Sequence, residues 1–549
     1  GHMGYFRQGG GPYGVAGDPV EPGSGGGGTP LTLLGGSPGD KGGHGGGAIL
    51  IQASGTVTVD GTLTASGTAG QGTYAGGGSG GSISITCRVF AATNGSIKVN
   101  GGNPAYWGNG GAGGGGRIAI SYNVAAQNAL AKPGVRFLAK PGTGPVESNY
   151  GWGYPAGADL GTLTLPDFGL LNANALNHVA QLAVPSGSAW AMDSMVVTDG
   201  WMRVAVDGLN LTVTNDLVVV GGGATMNNTI LEFGTSLTNS EAPVMERTTY
   251  NRYGLRCFTS GPVLNIGNNL ILTNNGALYL GFGATNMGGC DYEALISVGN
   301  IFGTGTNGWL YPYCNPTNGL APLIRVGSLQ VASLNSGINA DGRGYGGGGG
   351  ADAHTNGYGD GGGGGLGVLH YLAGGGYGGR GGNASSGAQG GEAYGSSNAP
   401  GLPGSGGGGG YPVDNDGFPP GAWGGAGGGV IRIQATRQEG VTVNGALSAN
   451  GGAGGGIYYG GGGAGGAIRI DSVYLRGTGI IRANGGAPRA DAAGGGGGGG
   501  RIAIRRPPSH DMFAGSYATL PYTAGYTSAE TGTVVFIDAA LAGAILSVK

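Results

Sequence analysis

The chain contains one pattern of strand-like segments twice, and this repeat constrains the fold more than any other feature. In each copy, short alternating apolar segments are separated by glycine-rich stretches, and their order and spacing persist over about seventy residues. The first copy places the segments at residues 47–52, 57–61, 81–85, 97–101 and 116–120. The second places them at residues 429–434, 441–445, 466–470, 481–485 and 500–504. This correspondence indicates an internal duplication.

Each segment has the alternation of a β-strand. Ile49 and Ile51 face one way and the residue between them faces the other, because side chains alternate along a strand. Successive units start at Gly47, Gly81 and Gly116, roughly 34 residues apart, which is a period typical of stacked repeats. One unit is too small to bury its own apolar face. The sequence therefore predicts an all-β fold, a β-solenoid in which units stack.

The duplication also predicts how the chain is divided. The central part has short strands with Asn-Asn and Asn-Gly corners, which fit a parallel β-helix or a β-sandwich. We favour the helix because the flanking copies are repeat-like. The predicted units are a cloning remnant at 1–3, the first glycine-rich copy at 4–167, a central β-helix region at 168–340, the second copy at 341–538 and a C-terminal cap at 539–549.

Glycine supplies 138 of the 549 residues, and the glycine-rich stretches have two interpretations, flexible linkers or packed loops. Glycine-rich chains are usually flexible linkers. Here, however, the glycine runs separate strands that must keep their register, and they carry aromatic and proline residues at intervals. Ordering glycine is costly in backbone entropy, so the runs must pack against something. We expect polyproline-II-like glycine loops that form a packed layer on one side of the solenoid.

The amino-acid composition excludes some classes of binding partner and suggests where the protein is located. Charged residues make up 10% of the chain and the net charge is −3, so the basic surface of a nucleic-acid-binding protein is lacking. No apolar run approaches the length of a membrane span. Few Lys and Glu, with many Thr, Asn, Ser and Gly, suggest a secreted or cell-surface protein. The cloning remnant leaves open that a signal peptide was removed.

The four cysteines, Cys87, Cys257, Cys290 and Cys314, match no zinc pattern. In an oxidising compartment a disulfide among the last three is one interpretation, although four cysteines allow three pairings. Buried free thiols are the other interpretation.

One segment concentrates reactive side chains in a chain that is poor in charge. Residues 246–256 contain three arginines, two tyrosines and a carboxylate, and Asp291 and Glu293 follow at a distance that a few rungs could bridge. Paired carboxylates can act as general acid and base on a glycosidic bond, and arginine can neutralise a uronate for a lyase. A solvated loop with surface ion pairs is the alternative. The candidate catalytic residues are Glu246, Asp291, Glu293 and Tyr250, and the candidate substrate-binding arginines are Arg247, Arg252 and Arg256.

Three aromatic residues form a second candidate site. Trp309, Tyr311 and Tyr313 alternate, so all three would face one side of a strand, and Pro312 between them would favour an edge. Such a row can stack on sugar rings or serve as a core or capping stripe.

Aspartates among glycines, including Asp341, Asp352 and Asp360, make Ca²⁺ the candidate ion. Their spacing matches no known calcium repeat, so a structural role is the alternative, and no other cofactor is expected.

The alternating strands with Asn corners resemble the pectin-lyase-like right-handed β-helices. The glycine-run and strand units resemble those of large autotransporter-adhesin-like bacterial surface proteins. These resemblances imply a right-handed parallel β-helix, and they transfer no catalytic motif to named residues.

Two functions follow as expectations. The first is an extracellular β-solenoid that binds a polysaccharide or cell-surface glycan and could cleave it as a glycoside hydrolase or polysaccharide lyase. The second is a non-catalytic structural or adhesive bacterial surface protein. A phage-type fibre is a third, which would need trimerisation.

Overall fold

The protein is a long stack of short parallel strands. The computed structural model describes residues 10–28, 41–72, 75–105, 110–143, 158–185, 187–223, 226–236, 255–256, 258–349, 356–363, 372–409, 423–455, 460–489 and 493–538. Within these residues the regular structure is almost entirely β, so the predicted all-β class is confirmed.

The described residues up to Thr164 contain nine strands and one short α-helix. The strands are β1 (Ala48–Gln52), β2 (Thr56–Thr58), β3 (Thr62–Thr64), β4 (Ser82–Thr86), β5 (Val89–Ala91), β6 (Gly95–Lys98), β7 (Arg117–Ser121), β8 (Val135–Leu138) and β9 (Thr162–Thr164). The helix α1 (Val124–Asn128) lies between β7 and β8, and the Asn123 side chain caps it by accepting the N–H of Ala126.

The central strands are β10 (Val179–Ala183), β11 (Ala189–Met192), β12 (Met195–Thr198), β13 (Trp201–Val204), β14 (Asn210–Val213), β15 (Leu217–Val220), β16 (Thr229–Phe233), β17 (Thr235–Ser236), β18 (Leu255–Arg256), β19 (Val263–Ile266), β20 (Leu270–Thr273), β21 (Gly276–Leu280), β22 (Leu295–Thr304), β23 (Trp309–Pro312), β24 (Leu323–Val331) and β25 (Gly337–Asn339). Short 3₁₀ turns at Ala173–Ala175 and Pro508–His510 interrupt the β structure.

The last strands are β26 (Val430–Ala435), β27 (Val441–Val443), β28 (Ala446–Ser448), β29 (Ala467–Asp471), β30 (Leu475–Gly477), β31 (Ile480–Arg482), β32 (Arg501–Arg506), β33 (Asp511–Phe513), β34 (Ser516–Ala518) and β35 (Thr533–Asp538).

Two large sheets make up most of the stack. The first is 16-stranded, in the order β1-β4-β7-β9-β10-β13-β16-β21-β23-β25-β28-β31-β34, with β3, β6 and β8 joined to it. The second is 15-stranded, with the main order β11-β14-β19-β22-β24-β26-β29-β32-β35. Pairing within both sheets is parallel, as between β1 and β4 and between β26 and β29. An antiparallel sandwich is thereby excluded, and the fold is a parallel β-solenoid.

A single apolar core runs through the stack. It begins at Val59 and continues to Ile504, and its members come from the inward positions of both sheets. Ile83, Ile118, Ile468 and Ile502 are fully or almost fully buried, as alternation along their strands predicts. The two sequence copies thus contribute the same kind of rung to the same core.

The glycine-rich segments bond to one another through their backbones. Gly46 N–H donates to the Ser79 carbonyl at 2.9 Å, and Gly80 N–H donates to the Gly114 carbonyl at 2.9 Å. A Cβ built on Gly45 would lie 1.8 Å from the carbonyl oxygen of Gly23. Such spacing admits only glycine, which accounts for the composition at these positions.

One arginine in each copy ties a glycine-rich segment to a sheet. Arg117 Nη2 donates to the Tyr13 carbonyl at 2.7 Å, and Arg501 Nη2 donates to the Tyr394 carbonyl at 2.7 Å. Both arginines start the Arg-Ile-Ala-Ile strand that closes a copy. Both copies therefore contain this hydrogen bond from an arginine to a tyrosine carbonyl, in addition to the shared strand pattern.

A long insertion leaves the second sheet continuous. Residues 340–429 separate β25 from β26, yet β26 pairs directly with β24, through Ile324 and Ile433 among others. The described parts of this segment bond to later glycine-rich segments, as Gly378 N–H does to the Gly499 carbonyl at 2.9 Å.

Some expectations are corrected or remain open. Cys87, Cys290 and Cys314 are free thiols, so the disulfide interpretation fails for these three, and Cys257 lies outside the described residues. The domain bounds remain a prediction, and the proposed cap at 539–549 is not among the described residues. Where the chain is described, no helix is long and apolar enough to cross a membrane.

Candidate functional site

The aromatic row lies on the outward side of the first sheet. Trp309 and Tyr311 in β23 are partly exposed, whereas Leu310 between them is fully buried in the core. Tyr313 follows β23 and packs with Tyr279 of β21 in a small cluster separate from the core. We call Trp309, Tyr311, Tyr313 and Tyr279 the aromatic row.

The ring faces of Tyr311 are already in contact with other groups. Tyr279 and Tyr311 are paired in register, and their ring centroids are 4.5 Å apart with a 20° angle between planes. The Arg343 guanidinium lies 4.7 Å from the Tyr311 centroid and 5.0 Å from that of Tyr313. Arg343 also donates to Asn339, which directly follows Ile338, the register partner of Leu310 on β25. Tyr311 thus contributes to packing more than to an open binding face.

Trp309 has a different environment. Its register partners on the two neighbouring rungs are Ala277 and Gly337, which are both small. The Tyr311 ring centroid lies 6.3 Å from that of Trp309, with 26° between the ring planes. Since small residues flank it and the side chain is partly exposed, the Trp309 ring is the member of the row best placed to accept a planar or apolar ligand face.

Fixed polar groups border this position. Ser448 Oγ donates to Asp341 Oδ1 at 2.6 Å, and Arg482 Nε donates to Ser448 Oγ at 3.0 Å. Asn339, Ser448 and Arg482 are successive register partners on β25, β28 and β31. They form a polar line parallel to the small residues beside Trp309.

A buried charge network occupies the other end of the same face. Arg203 Nε donates to Glu232 Oε2 at 2.6 Å, and Arg203 Nη1 donates to Asp159 Oδ1 at 2.9 Å. The register runs from Gln181 through Arg203 and Glu232 to Tyr279. Burial raises the pKa of Glu232, and the positive charge of Arg203 offsets only part of that rise. Because Arg203 and Glu232 have almost no exposed surface, this network fixes the face rather than contacting a ligand.

The candidate catalytic carboxylates lie elsewhere. Asp291 forms an ion pair with Arg432 Nη2 at 2.7 Å on the second sheet. Glu293 is fully buried, and burial raises its pKa to about 9. Neither residue joins the aromatic row, which is on the first sheet.

The remaining sequence candidates fall mostly outside the described residues. Glu246, Arg247, Tyr250 and Arg252 are not among them. The backbone of Arg256 lies in β18, which pairs antiparallel with β17, and its side chain is not described.

At Asp341, hydrogen bonds within the protein provide a structural role as the alternative to Ca²⁺ binding. Asp341 Oδ1 accepts hydrogen bonds from Ser448 Oγ and the N–H of Asn450, both at 2.6 Å. Within the described ranges, no group of three or more His, Cys, Asp and Glu could hold a metal ion. Asp352 lies outside those ranges.

Sequence reasoning did not single out Tyr279, Arg203, Glu232 or Arg343 as members of this face. The register between strands would have identified two of them, because Glu232 and Tyr279 each occupy an outward position in a mostly apolar strand. Aligning the strands rung by rung would have placed them in line with Tyr311. The rung boundaries, however, depend on corner lengths that vary along the chain.

A scan against models of protein families found no match, a search of curated proteins found none, and a search of solved structures found none. Interpretation of the face therefore rests on its geometry.

Proposed function

We propose that this protein is a non-catalytic β-solenoid that binds a polysaccharide at the Trp309 end of the aromatic row, with Trp309 as the stacking residue. One observation carries the proposal: Trp309 is partly exposed between Ala277 and Gly337, beside a line of fixed polar groups. Sugars present an apolar ring face and a rim of hydroxyl groups, and they are bound by this combination of aromatic and polar side chains. Asn339 and Arg482 are the candidate partners for the hydroxyl groups.

We do not extend the proposal to cleavage by Asp291 and Glu293. A general acid or base must reach the reacting bond, and a glycosidase needs two carboxyl groups flanking it. Asp291 is held by Arg432, and Glu293 has no exposed surface. The other two candidate catalytic residues, Glu246 and Tyr250, lie outside the described residues.

The handedness of the solenoid, the conformation of its glycine-rich segments and its location are part of the same proposal. We propose a right-handed solenoid of the pectin-lyase-like kind, with the glycine-rich segments in polyproline-II conformation and the whole protein secreted or on a cell surface. Backbone bonds between glycine segments, such as Gly43 N–H to the Gly76 carbonyl at 2.9 Å, support the packed-layer part. An experimental density map would reveal the handedness directly.

The binding proposal is tested with a panel of neutral polysaccharides and the Trp309→Ala variant. We expect a ligand from the panel to change tryptophan fluorescence, and Trp309→Ala to weaken its binding by about tenfold or more, because an aromatic–sugar stack contributes about 1.5 kcal/mol. Trp309→Phe should recover part of the affinity. Tyr526→Ala is the matched control, since Tyr526 is an exposed aromatic on a glycine-rich segment away from the row.

Equal affinity of Trp309→Ala and the parent protein for every ligand would contradict the site. Release of reducing ends, or ultraviolet absorbance from unsaturated uronates, during incubation with the same panel would contradict the non-catalytic part.

A further inference from the structure

Four arginines form an array on the outward side of the second sheet. Arg325 in β24, Arg432 in β26, Arg469 in β29 and Arg505 in β32 lie on four consecutive rungs. Arg432 is the direct register partner of Arg469. We call these four residues the arginine array.

Two columns of side chains make up the array. In one column, Arg325 pairs in register with Gln434, Gln434 with Asp471, and Asp471 with Arg505. The inward neighbours on the same strands, among them Ile433 and Ile470, are buried in the core. With rungs about 4.8 Å apart, the backbone positions of Arg325 and Arg505 are separated by about 14 Å along the stack.

The charges of the array are only partly balanced. Asp291 pairs with Arg432 at 2.7 Å, and Asp471 pairs with Arg469 at 2.9 Å. Arg325 and Arg505 are exposed at the two ends, and the Arg325 guanidinium has a 3.4 Å hydrogen bond to the Gln434 amide. Four guanidinium groups face two carboxylates, so the array is positive on a chain whose net charge is −3.

Two of the four guanidinium groups have a carboxylate partner among the described residues, and the two outer ones do not. The ion pairs of Arg432 and Arg469, which face each other across two strands, offset the repulsion between these like charges. Arginine presents planar pairs of N–H donors that match sulfate and phosphate esters. A row of such donors at rung spacing suits a linear polymer better than a single ion.

We propose that the arginine array binds an anionic polysaccharide through its sulfate or phosphate esters, with Arg325 and Arg505 as the outer contacts. The four strands carry no aromatic residue, and Tyr292, which interacts with Arg325, supplies one ring at one end of the array. A single-stranded nucleic acid, which stacks successive bases on a series of aromatic side chains, fits this surface less well. The surface is on a different sheet from Trp309, and the two proposals are independent.

Dextran sulfate, dextran phosphate and unmodified dextran are the probes. We expect the parent protein to bind one of the two esters and not unmodified dextran, with an affinity that falls as salt rises. The double variant Arg325→Gln with Arg505→Gln should bind that ester at least about tenfold more weakly. Which ester binds more tightly identifies the anionic group.

The control variant is Arg88→Gln with Arg380→Gln, which removes the same charge from exposed arginines outside the array. It should retain the parent affinity within about twofold. An equal loss in this control, or binding of unmodified dextran with the same affinity as the esters, would overturn the site. Tighter binding of duplex or single-stranded DNA than of either ester would overturn the polysaccharide class. Trp309→Ala should leave ester binding unchanged.

Discussion

Glu293 places an ionisable group where water does not reach it. The residue has no exposed surface, and neither carboxyl oxygen has a hydrogen-bond partner among the described residues. Burial raises the pKa of Glu293 to about 9. At neutral pH the group is therefore protonated in the folded protein.

This burial predicts that the free energy of unfolding falls as pH rises from about 4.5 to about 9. In the unfolded chain the carboxyl has its ordinary pKa of about 4.5, so the unfolded state loses the proton first as pH rises. The free energy of unfolding should fall by about 1.4 kcal/mol per pH unit between the two pKa values because of this residue. Urea unfolding of the parent and of Glu293→Gln from pH 5 to 9 measures the difference.

In Glu293→Gln this contribution to the slope should disappear. Glu439→Gln is the control, because Glu439 is exposed and its removal should leave the slope unchanged. The same slope in Glu293→Gln as in the parent would show that the carboxyl is not buried in its neutral form.

For single residues, the sequence predicted the side of the strand that a side chain faces better than it predicted the chemical role of that side chain. Alternation correctly placed Trp309 and Tyr311 on one side of a strand, with Leu310 on the other. The environment of Glu293 was not predictable, because a loop residue next to Asp291 has no periodic pattern that tells inside from outside. The free energy of burying a carboxyl depends on contacts from distant parts of the chain, such as Cys314.

Among the elements, the glycine-rich segments have the strictest steric limits. Gly45 and Gly47 are two residues apart in the same segment and differ sharply in their surroundings. A Cβ on Gly45 would overlap the Gly23 carbonyl, whereas a Cβ on Gly47 would meet nothing within 4 Å. The role of glycine is therefore steric at one position and not at the other.

These two positions provide a matched test of the packed layer. Gly45→Ala should lower the free energy of unfolding by about 2 kcal/mol or more, because the neighbouring backbone must move. Gly47→Ala should be neutral or stabilising by up to about 1 kcal/mol, because alanine restricts the unfolded chain. Denaturant unfolding measures both. Equal effects of the two substitutions would mean that the segment is not packed against residue 23.

The elements were predictable where their pattern was periodic. The strand segments of both copies and the central strands at 263–266 and 270–273 formed where alternation and β-branching indicated. The hydrogen bonds between glycine segments were not predictable in detail, because glycine has no side chain that records which neighbour it faces.

As a whole molecule, the protein is a stack in which each rung contacts mainly its neighbours. Such proteins open from their ends, since a terminal rung has one interface where an internal rung has two. Ile49 and Ile51 in β1 are partly exposed, whereas Ile83 and Ile85 on the next rung are fully buried. The first described rung is therefore the less protected one.

Hydrogen exchange should reveal this gradient. We expect amides of β16 and β21, in the middle of the first sheet, to exchange at least about tenfold more slowly than those of β1. Opening of the terminal rung alone exposes β1, whereas β16 and β21 are exposed only when many rungs open. Mass spectrometry of the exchanged protein measures the rates segment by segment. Uniform exchange along the stack would indicate one all-or-none unit instead.

The segment between β25 and β26 leaves the pairing of β24 with β26 in place, and its described glycines bond to later glycine-rich segments, as Gly378 N–H does to the Gly499 carbonyl at 2.9 Å. Chain can therefore be added between two rungs without changing their register, provided that it packs on the neighbouring glycine segments. A foreign peptide grafted at the exposed Gly387, where a Cβ would meet nothing within 4 Å, should be displayed on the flank of an unchanged rod.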